Sequence, residues 1–410
     1  MEQRKIYLDN GATTVVYPEV IKEMQKYFSD VYGNASSLHY FGRQAKTALE
    51  DARSKVALLL NASPEEVFFT GCGTESDNIA ISGILNAYGK KGHIITSSIE
   101  HHAVFYLCKH LEETGYEVTY LSVDKDGVVS VEDFKKAVRD DTLLVTIMHA
   151  NNEIGSIQPI EAIADELKKI NEKRRDKIYF HTDAVQTAGK LRLDVKKLGV
   201  DLLVLSAHKF NGPKGIGALY IKKGTNIFPI IFGGHHERGL RPGTENIPAA
   251  AGFAKAFEIS NAKIEGHNKC VFALREKLKK SILDTIPEVV INGSSGSSVS
   301  NILNVSFNYI EGEALLLMLD MKGIAVSTGS ACASGSSEPS HVLSALRIDP
   351  VSAQGAVRFS FGCYNTEEEV DYVLEILPEV IRNLRSMSPV WHQKSKKYFK
   401  KYIHKFIAKP

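Results

Sequence analysis

The stretch Ser206-Ala207-His208-Lys209-Phe210-Asn211-Gly212-Pro213-Lys214-Gly215 decides the reading of this chain. It follows the run Asp201-Leu202-Leu203-Val204-Leu205. That unbroken apolar run, with no polar alternation, is the pattern of a parallel strand buried on both faces. A lysine just past the carboxyl end of such a strand stands in the crevice where open α/β sheets bind ligands. A second strand-like run, Ile178-Tyr179-Phe180-His181-Thr182, ends in Asp183. Lysine on one strand end and aspartate on another are the two groups that pyridoxal phosphate chemistry needs. The amine joins the cofactor aldehyde, and the carboxylate keeps the pyridine nitrogen protonated so that the ring can accept electrons. Either residue alone also reads as a solvated loop lysine or a turn aspartate. The residues around them turn the balance.

Outward from this stretch, short apolar strands alternate with helical patterns, which predicts a parallel sheet with crossover helices. Strands are expected at 66–70, 93–97, 117–122, 143–148, 178–182, 202–206 and 216–221. Helices are expected at 74–88, 103–114 and 159–175, among others. A long helical pattern from Ile247 to about Leu283 leads to a shorter α+β segment. That segment has strands near 289–291, 302–307, 325–327 and 356–361 and helices at 311–322 and 366–385. The fold class is therefore α/β, with a large domain over 13–261 built on a mainly parallel seven-stranded sheet. A smaller domain takes 1–12 and 262–388, and residues 389–410 form a basic tail. From Val380 to Pro410 there is no acidic residue. Tyr398, Phe399, Tyr402, Ile403, Phe406 and Ile407 recur there at helical spacing among lysines, as in a basic amphipathic helix that binds a partner or a membrane surface, or in a frayed or packed terminal helix with a solvated lysine face.

Two domains are the expectation for 410 residues. A net charge of +2 does not suggest a nucleic-acid binder. No apolar run reaches membrane-span length. The first residues carry no apolar segment of a secretory signal, and an early strand leaves no room for a transit peptide. Cys72, Cys108, Cys270, Cys332 and Cys363 include no CxxC pair. That argues against a zinc site or a disulfide framework and for a reducing cytoplasm.

Several segments offer chemistry at strand ends. Gly71-Cys72-Gly73-Thr74-Glu75-Ser76-Asp77-Asn78 follows a strand and opens a helix, with Thr74 as the expected N-cap. A phosphate takes backbone N–H groups at such a place, and Ser206 and His208 add donors. His101, in Ser98-Ile99-Glu100-His101-His102, is placed to stack on a cofactor ring or shuttle protons, or else to cap a helix. Asn152, in Ala150-Asn151-Asn152-Glu153-Ile154-Gly155, and Gln186 are placed to reach the ring's phenolic oxygen. Paired asparagines also form turns. Cys332 stands in Ser327-Thr328-Gly329-Ser330-Ala331-Cys332-Ala333-Ser334-Gly335, a small, polar loop that leaves a thiol able to ionise and move. Cys72, Cys108 and Cys270 read as structural. Arg358, a charge inside a strand-like run, needs an anionic partner such as a substrate carboxylate.

In family order, the chain carries Leu8-Asp9-Asn10-Gly11-Ala12-Thr13-Thr14, Gly33-Asn34-Ala35-Ser36-Ser37, Thr74-Glu75-Ser76-Asp77-Asn78 and Glu100-His101-His102-Ala103-Val104. It continues with Asn151-Asn152-Glu153-Ile154-Gly155, Asp183-Ala184-Val185-Gln186 and Ser206-Ala207-His208-Lys209. Arg241-Pro242-Gly243-Thr244-Glu245-Asn246, Ser330-Ala331-Cys332 and Arg358-Phe359-Ser360 complete the set. In these motifs, from Tyr7 to about Pro389, it resembles the cysteine desulfurases. These are class-V aminotransferase-like pyridoxal 5'-phosphate enzymes of fold type I. The long loop around Cys332 resembles the subclass of nitrogen-fixation and housekeeping iron–sulfur enzymes. Ala35, Gly73, His236 and Cys363 depart from residues usual in the family, and none removes a group the chemistry requires.

The resemblance implies Lys209 as the Schiff-base lysine, Asp183 at the pyridine nitrogen and His101 on the ring. Asn152 and Gln186 fall on the ring-oxygen side. Gly73, Thr74, Ser206 and His208 take the phosphate, with Thr244 from a second subunit of a homodimer. Asn34 and Arg358 take the substrate carboxylate, and Cys332 accepts sulfur as a persulfide, with no metal. L-cysteine would give L-alanine. The sulfur would pass to a protein acceptor, an iron–sulfur scaffold or a sulfur-relay protein serving cluster assembly or tRNA and cofactor thiolation. A selenocysteine lyase or other aminotransferase, or a non-catalytic sulfur-relay protein, are the alternatives. The Cys332 loop argues against a plain aminotransferase, and the retained Lys209, Asp183, Cys332 and Arg358 argue against lost turnover.

Overall fold

The structure, a computed structural model, describes residues 4–293, 296–328 and 340–391. It divides into two compact units, residues 13–269 with 294–300, and residues 1–12 with 270–293 and 301–410. Residues 262–269 and 294–300 thus fall with the larger unit. Among the described residues no helix is long and apolar enough to cross a membrane.

The chain opens with β1 (Ile6–Tyr7) in the smaller unit. The larger unit then forms β2 (Val67–Thr70), β3 (His93–Ser97), β4 (Glu117–Leu121), β5 (Thr142–Thr146), β6 (Tyr179–Asp183), β7 (Leu202–Ser206) and β8 (Gly217–Ile221). These seven strands make one sheet in the order β2-β8-β7-β6-β5-β3-β4. Only β8 runs antiparallel to its neighbours. The central strands β3, β5 and β7 are buried at every residue, as in a parallel sheet covered on both faces. Because all strands but β8 point one way, the carboxyl ends of β2, β3, β5, β6 and β7 share one edge. Every cofactor motif read from the sequence before residue 210 leaves the sheet there.

The turn carrying Lys209 is fixed from behind. Phe210 is buried in an aromatic cluster, its ring centroid 5.1 Å from Phe253 and 5.3 Å from Phe257. Asn211 turns the chain at φ 65°, and its Nδ2 donates to the Val15 carbonyl at 2.8 Å. The residue types make the turn: an asparagine tolerates the left-handed region, and a phenylalanine anchors the strand end in apolar surroundings.

A second rigid point is a buried ion pair. Arg53, from the helix Tyr40–Leu60, grips Glu237 with two bonds of 2.7 and 2.8 Å. Glu237 and Arg238 both have positive φ, 43° and 57°, which costs free energy unless the surroundings hold it. The pair thus pins the entry to the 241–246 loop. Replacing Arg53 with methionine leaves a carboxylate buried and unpaired. It is expected to cost about 3–5 kcal/mol of stability in urea unfolding, and Glu237→Gln in the same chain should recover part of the loss.

In the smaller unit β9 (Val289–Asn292), β10 (Ile302–Phe307), β12 (Ser327–Thr328) and β13 (Ala356–Ser360) form a four-stranded sheet, while β11 (Ile324–Ala325) pairs in parallel with β1. The single strand expected at 325–327 is two. The chain changes partner at Val326, passing from β1 on one side to antiparallel β13 on the other.

Candidate active site

At the end of β2 the chain passes through Gly71 and Cys72 into the helix Gly73–Tyr88. The helix cap is Cys72, not Thr74. Cys72 is in extended conformation and its Sγ accepts the Glu75 N–H at 3.4 Å. Thr74 already lies inside the first turn. The N–H groups of Gly73 and Thr74 are among those that a helix cannot satisfy internally. A side chain at Gly73 would place its Cβ 3.1 Å from Val185 Cγ2 and 3.6 Å from Ser206 Cβ. Glycine therefore brings this helix start against the β7 end. A Cβ at Gly217 would lie 2.7 Å from the Cys72 carbonyl carbon, so β8 too is glycine where the loop crosses it. Gly73, Thr74 and Ser206 form one cradle. His208, two residues beyond Ser206, is pushed down to about 4 by burial and by the charges of Lys209, Lys214 and Lys190. It is neutral at physiological pH, and its Nδ1 lies 3.2 Å from Thr13 Oγ1.

Asp183 ends β6 beside β7, in register with Val204. Its Oδ1 accepts the Val185 N–H at 2.8 Å. Burial lifts its pKa to about 6, against the pull of that bond and of the Lys209 charge. A buried carboxylate in this position gains from any cation that approaches it. A protonated pyridine nitrogen is such a partner, so the residues present fit pyridoxal phosphate at both its ring and its phosphate ends.

His101 is the N-cap of the helix His102–Glu113, its Nδ1 accepting the Ala103 N–H at 3.2 Å. The capping role read from the sequence is real, and it fixes the ring at the β3 end. The two asparagines divide their work. Asn151 is the turn former, with Nδ2 donating to Ile99 O at 2.8 Å and Oδ1 accepting from the N–H groups of Glu153 and Ile154. Asn152 is half-buried beside it. Gln186 is buried, and its main-chain carbonyl accepts from Lys190 Nζ at 2.9 Å. Burial, then the Lys209 charge, brings Lys190 down to about 7.

Thr244 is exposed and lines a cavity of about 260 Å³ with Glu237, Arg241 and Glu245. Arg241 is tied to Glu75, in the first turn of Gly73–Tyr88, at 2.7 Å. Asn34 is exposed in the larger unit, its Oδ1 accepting the Ser36 N–H at 2.9 Å. In the smaller unit Arg358 is buried on β13, and its Nη2 donates to Asp9 Oδ1 at 2.8 Å. Asp9 is thus one anionic partner of this buried arginine within the unit. Cys332 lies outside the described residues. Of the cysteines read as structural only Cys108 is buried; Cys72 and Cys270 are exposed.

Sequence reasoning assigned no role to Asp77, Glu100, His181 and Lys190, all buried at or near these strand ends. The available signal was charge inside an apolar pattern, as at His181 within β6.

A family model described as aminotransferase class-V matches residues 6–373. The chain is 51% identical over 390 residues to cysteine desulfurase IscS of Methanosarcina thermophila, covering 95% of each. It belongs to the cysteine desulfurase family. Identity to cysteine desulfurase IscS of Dictyoglomus turgidum is 49% over 388 residues, 94% of this chain and 97% of that one. Among solved structures, a NifS-like protein at 43% identity superposes with a TM-score of 0.87 over 93% of this chain and 100% of its own. The family implies a pyridoxal phosphate cofactor.

Proposed function

We propose that this chain is a pyridoxal-phosphate-dependent cysteine desulfurase. It converts L-cysteine to L-alanine and carries the sulfur as a persulfide on Cys332 to an acceptor protein, for iron–sulfur assembly or thiolation. The observation that carries the reading is Asp183 and Lys209 at the ends of the adjacent strands β6 and β7, where the Gly73 helix start packs against Ser206, in a chain of this family. The exposed free thiols suit a reducing cytoplasm.

Gly73, Thr74, Ser206 and neutral His208 would hold the phosphate, with Thr244 arriving from a second subunit. Asp183 would bond the pyridine nitrogen, His101 would lie against the ring, and Asn152 and Gln186 would serve the ring-oxygen side. When bound, the cofactor supplies an electron sink for charge left at the substrate Cα. Lys209 anchors it and moves the Cα proton. Asn34 and Arg358 orient the substrate carboxylate. The Cys332 thiolate attacks the substrate sulfur. An S–S bond forms as the C–S bond breaks, and the electron pair stays on the carbon that takes a proton to become the alanine methyl. His101 handles protons near that sulfur.

The test is the product balance from L-cysteine with a thiol reductant. Alanine and sulfide in equal amounts are expected, and keto acid formed without sulfide would refute the reading. Asp183→Asn should retain cofactor but lose turnover by about a hundredfold or more, because a neutral amide cannot hold the pyridinium charge. Turnover within a few-fold of wild type would contradict that role. The shared site is checked by mixing Lys209→Ala and Thr244→Ala chains. Exchanged dimers should regain one intact site, and exchange without regained activity counts against a contribution across subunits.

A further inference from the structure

Asp77, in the first turns of the helix Gly73–Tyr88, and His181, in β6, are both fully buried. Asp77 Oδ1 lies 3.4 Å from His181 Nε2. Neither atom has a hydrogen-bond partner among the described residues. Two bare acceptors at that distance repel, whereas one proton between them makes a bond and satisfies both. The other ring nitrogen, Nδ1, is 2.8 Å from Thr146 Oγ1. His181 stands two residues before Asp183 on the same strand, so the two side chains share a face of the sheet.

We propose that Asp77 and His181 form a positioning pair for Asp183, in which the Asp77 carboxyl carries the proton and donates it to His181 Nε2, leaving Asp183 as the one charged carboxylate of its buried group. The group has three acids. Burial, then the charges of Asp183, Glu100 and Cys72, hold Asp77 well above the usual carboxylate range. Glu100 accepts from Ser97 Oγ at 2.6 Å and from the Met148 N–H at 2.9 Å; burial still pushes it up to about 8. Burial pushes His181 down to about 3, so its ring is a neutral acceptor. Asp183 has both a backbone N–H and the Lys209 charge to favour its anion. The pair fixes the imidazole tautomer, Nδ1–H toward Thr146, and keeps a second negative charge away from Asp183.

The proposal rests on the pyridoxal phosphate reading of this site, but its first test does not. Infrared spectra of the cofactor-free protein with carbon-13 aspartate should show a protonated carboxyl band throughout the neutral range. The band should vanish in Asp77→Asn and persist in Glu100→Gln. Its absence in the wild type, or persistence in Asp77→Asn, overturns the proposal whether or not cofactor binds. The second test uses added pyridoxal phosphate. Asp77→Asn keeps a donor facing Nε2, so its dissociation constant should stay within about threefold of wild type, with an unchanged pH midpoint of the bound-cofactor absorbance. Asp77→Leu removes the donor and should weaken binding about tenfold or more and move that midpoint. Asn and Leu variants equally impaired would show that the carboxylate charge matters, and the pair as proposed would fall. If Asp77→Leu does not fold, the Asn variant and the infrared band still decide.

Discussion

Replacing Lys209 with alanine is expected to abolish turnover, by roughly 10⁴-fold or more, and to leave no site for covalent attachment of the cofactor. In the proposed mechanism Lys209 does two things at one place, holding the cofactor and moving the Cα proton, so one substitution removes both. The neighbouring lysines cannot take over. Lys190 is buried with its Nζ on the Gln186 main-chain carbonyl at 2.9 Å. Lys214 lies beyond the turn that Phe210 and Asn211 hold rigid. The cradle residues Gly73, Thr74, Ser206 and His208 are untouched, so pyridoxal phosphate should still bind, weakly and reversibly. Borohydride treatment followed by peptide mapping checks this. Wild type should carry the reduced adduct on Lys209 and the variant on no lysine. An adduct on Lys190 or Lys214 of the wild type would remove the basis of the assignment.

Those residues were legible because strand ends are. Apolar runs bounded by polar residues mark where a buried parallel strand stops, and β3, β5, β6, β7 and β8 begin and end within two residues of the positions their patterns predict. The positions of Asp183 at the end of β6 and Lys209 just past the end of β7 follow from that pattern. What the pattern does not carry is which of two like neighbours turns inward. Asn151 and Asn152 are chemically identical, and only the tertiary position of Ile99, Glu153 and Ile154 makes the first the turn former. The helix cap is Cys72 and not Thr74 for a related reason: capping depends on backbone conformation, and the helix begins two residues earlier than a Thr74 cap would set it. The break at Val326 was hidden because three residues of strand pattern do not say how many sheets they serve. The Asp77–His181 contact joins a helix to a strand about a hundred residues later, a pairing that no periodicity records.

The other large effect is expected at Cys332. In Cys332→Ala no proposed cofactor contact is lost, so pyridoxal phosphate should bind with its usual absorbance. L-cysteine should still perturb that absorbance, because Lys209 and Arg358, the residue proposed to orient the carboxylate, remain. Alanine and sulfide release should fall to background, since no thiolate is left to attack the substrate sulfur. The remaining cysteines are poor substitutes on physical grounds. Cys108 is buried, and burial pushes its thiol up to about 12, far from ionising. Cys72 is exposed, but its Sγ caps the helix Gly73–Tyr88 and serves the cradle instead. Exposing wild type to L-cysteine without reductant, then mapping peptides by mass, should place the added sulfur on Cys332 and make it transferable to an external thiol. Sulfur found on Cys72 or Cys363, with Cys332→Ala still turning over, would relocate the nucleophile. The roles of Lys209 and Asp183 would stand, because they depend on the strand ends of the sheet and not on the loop that carries the thiol.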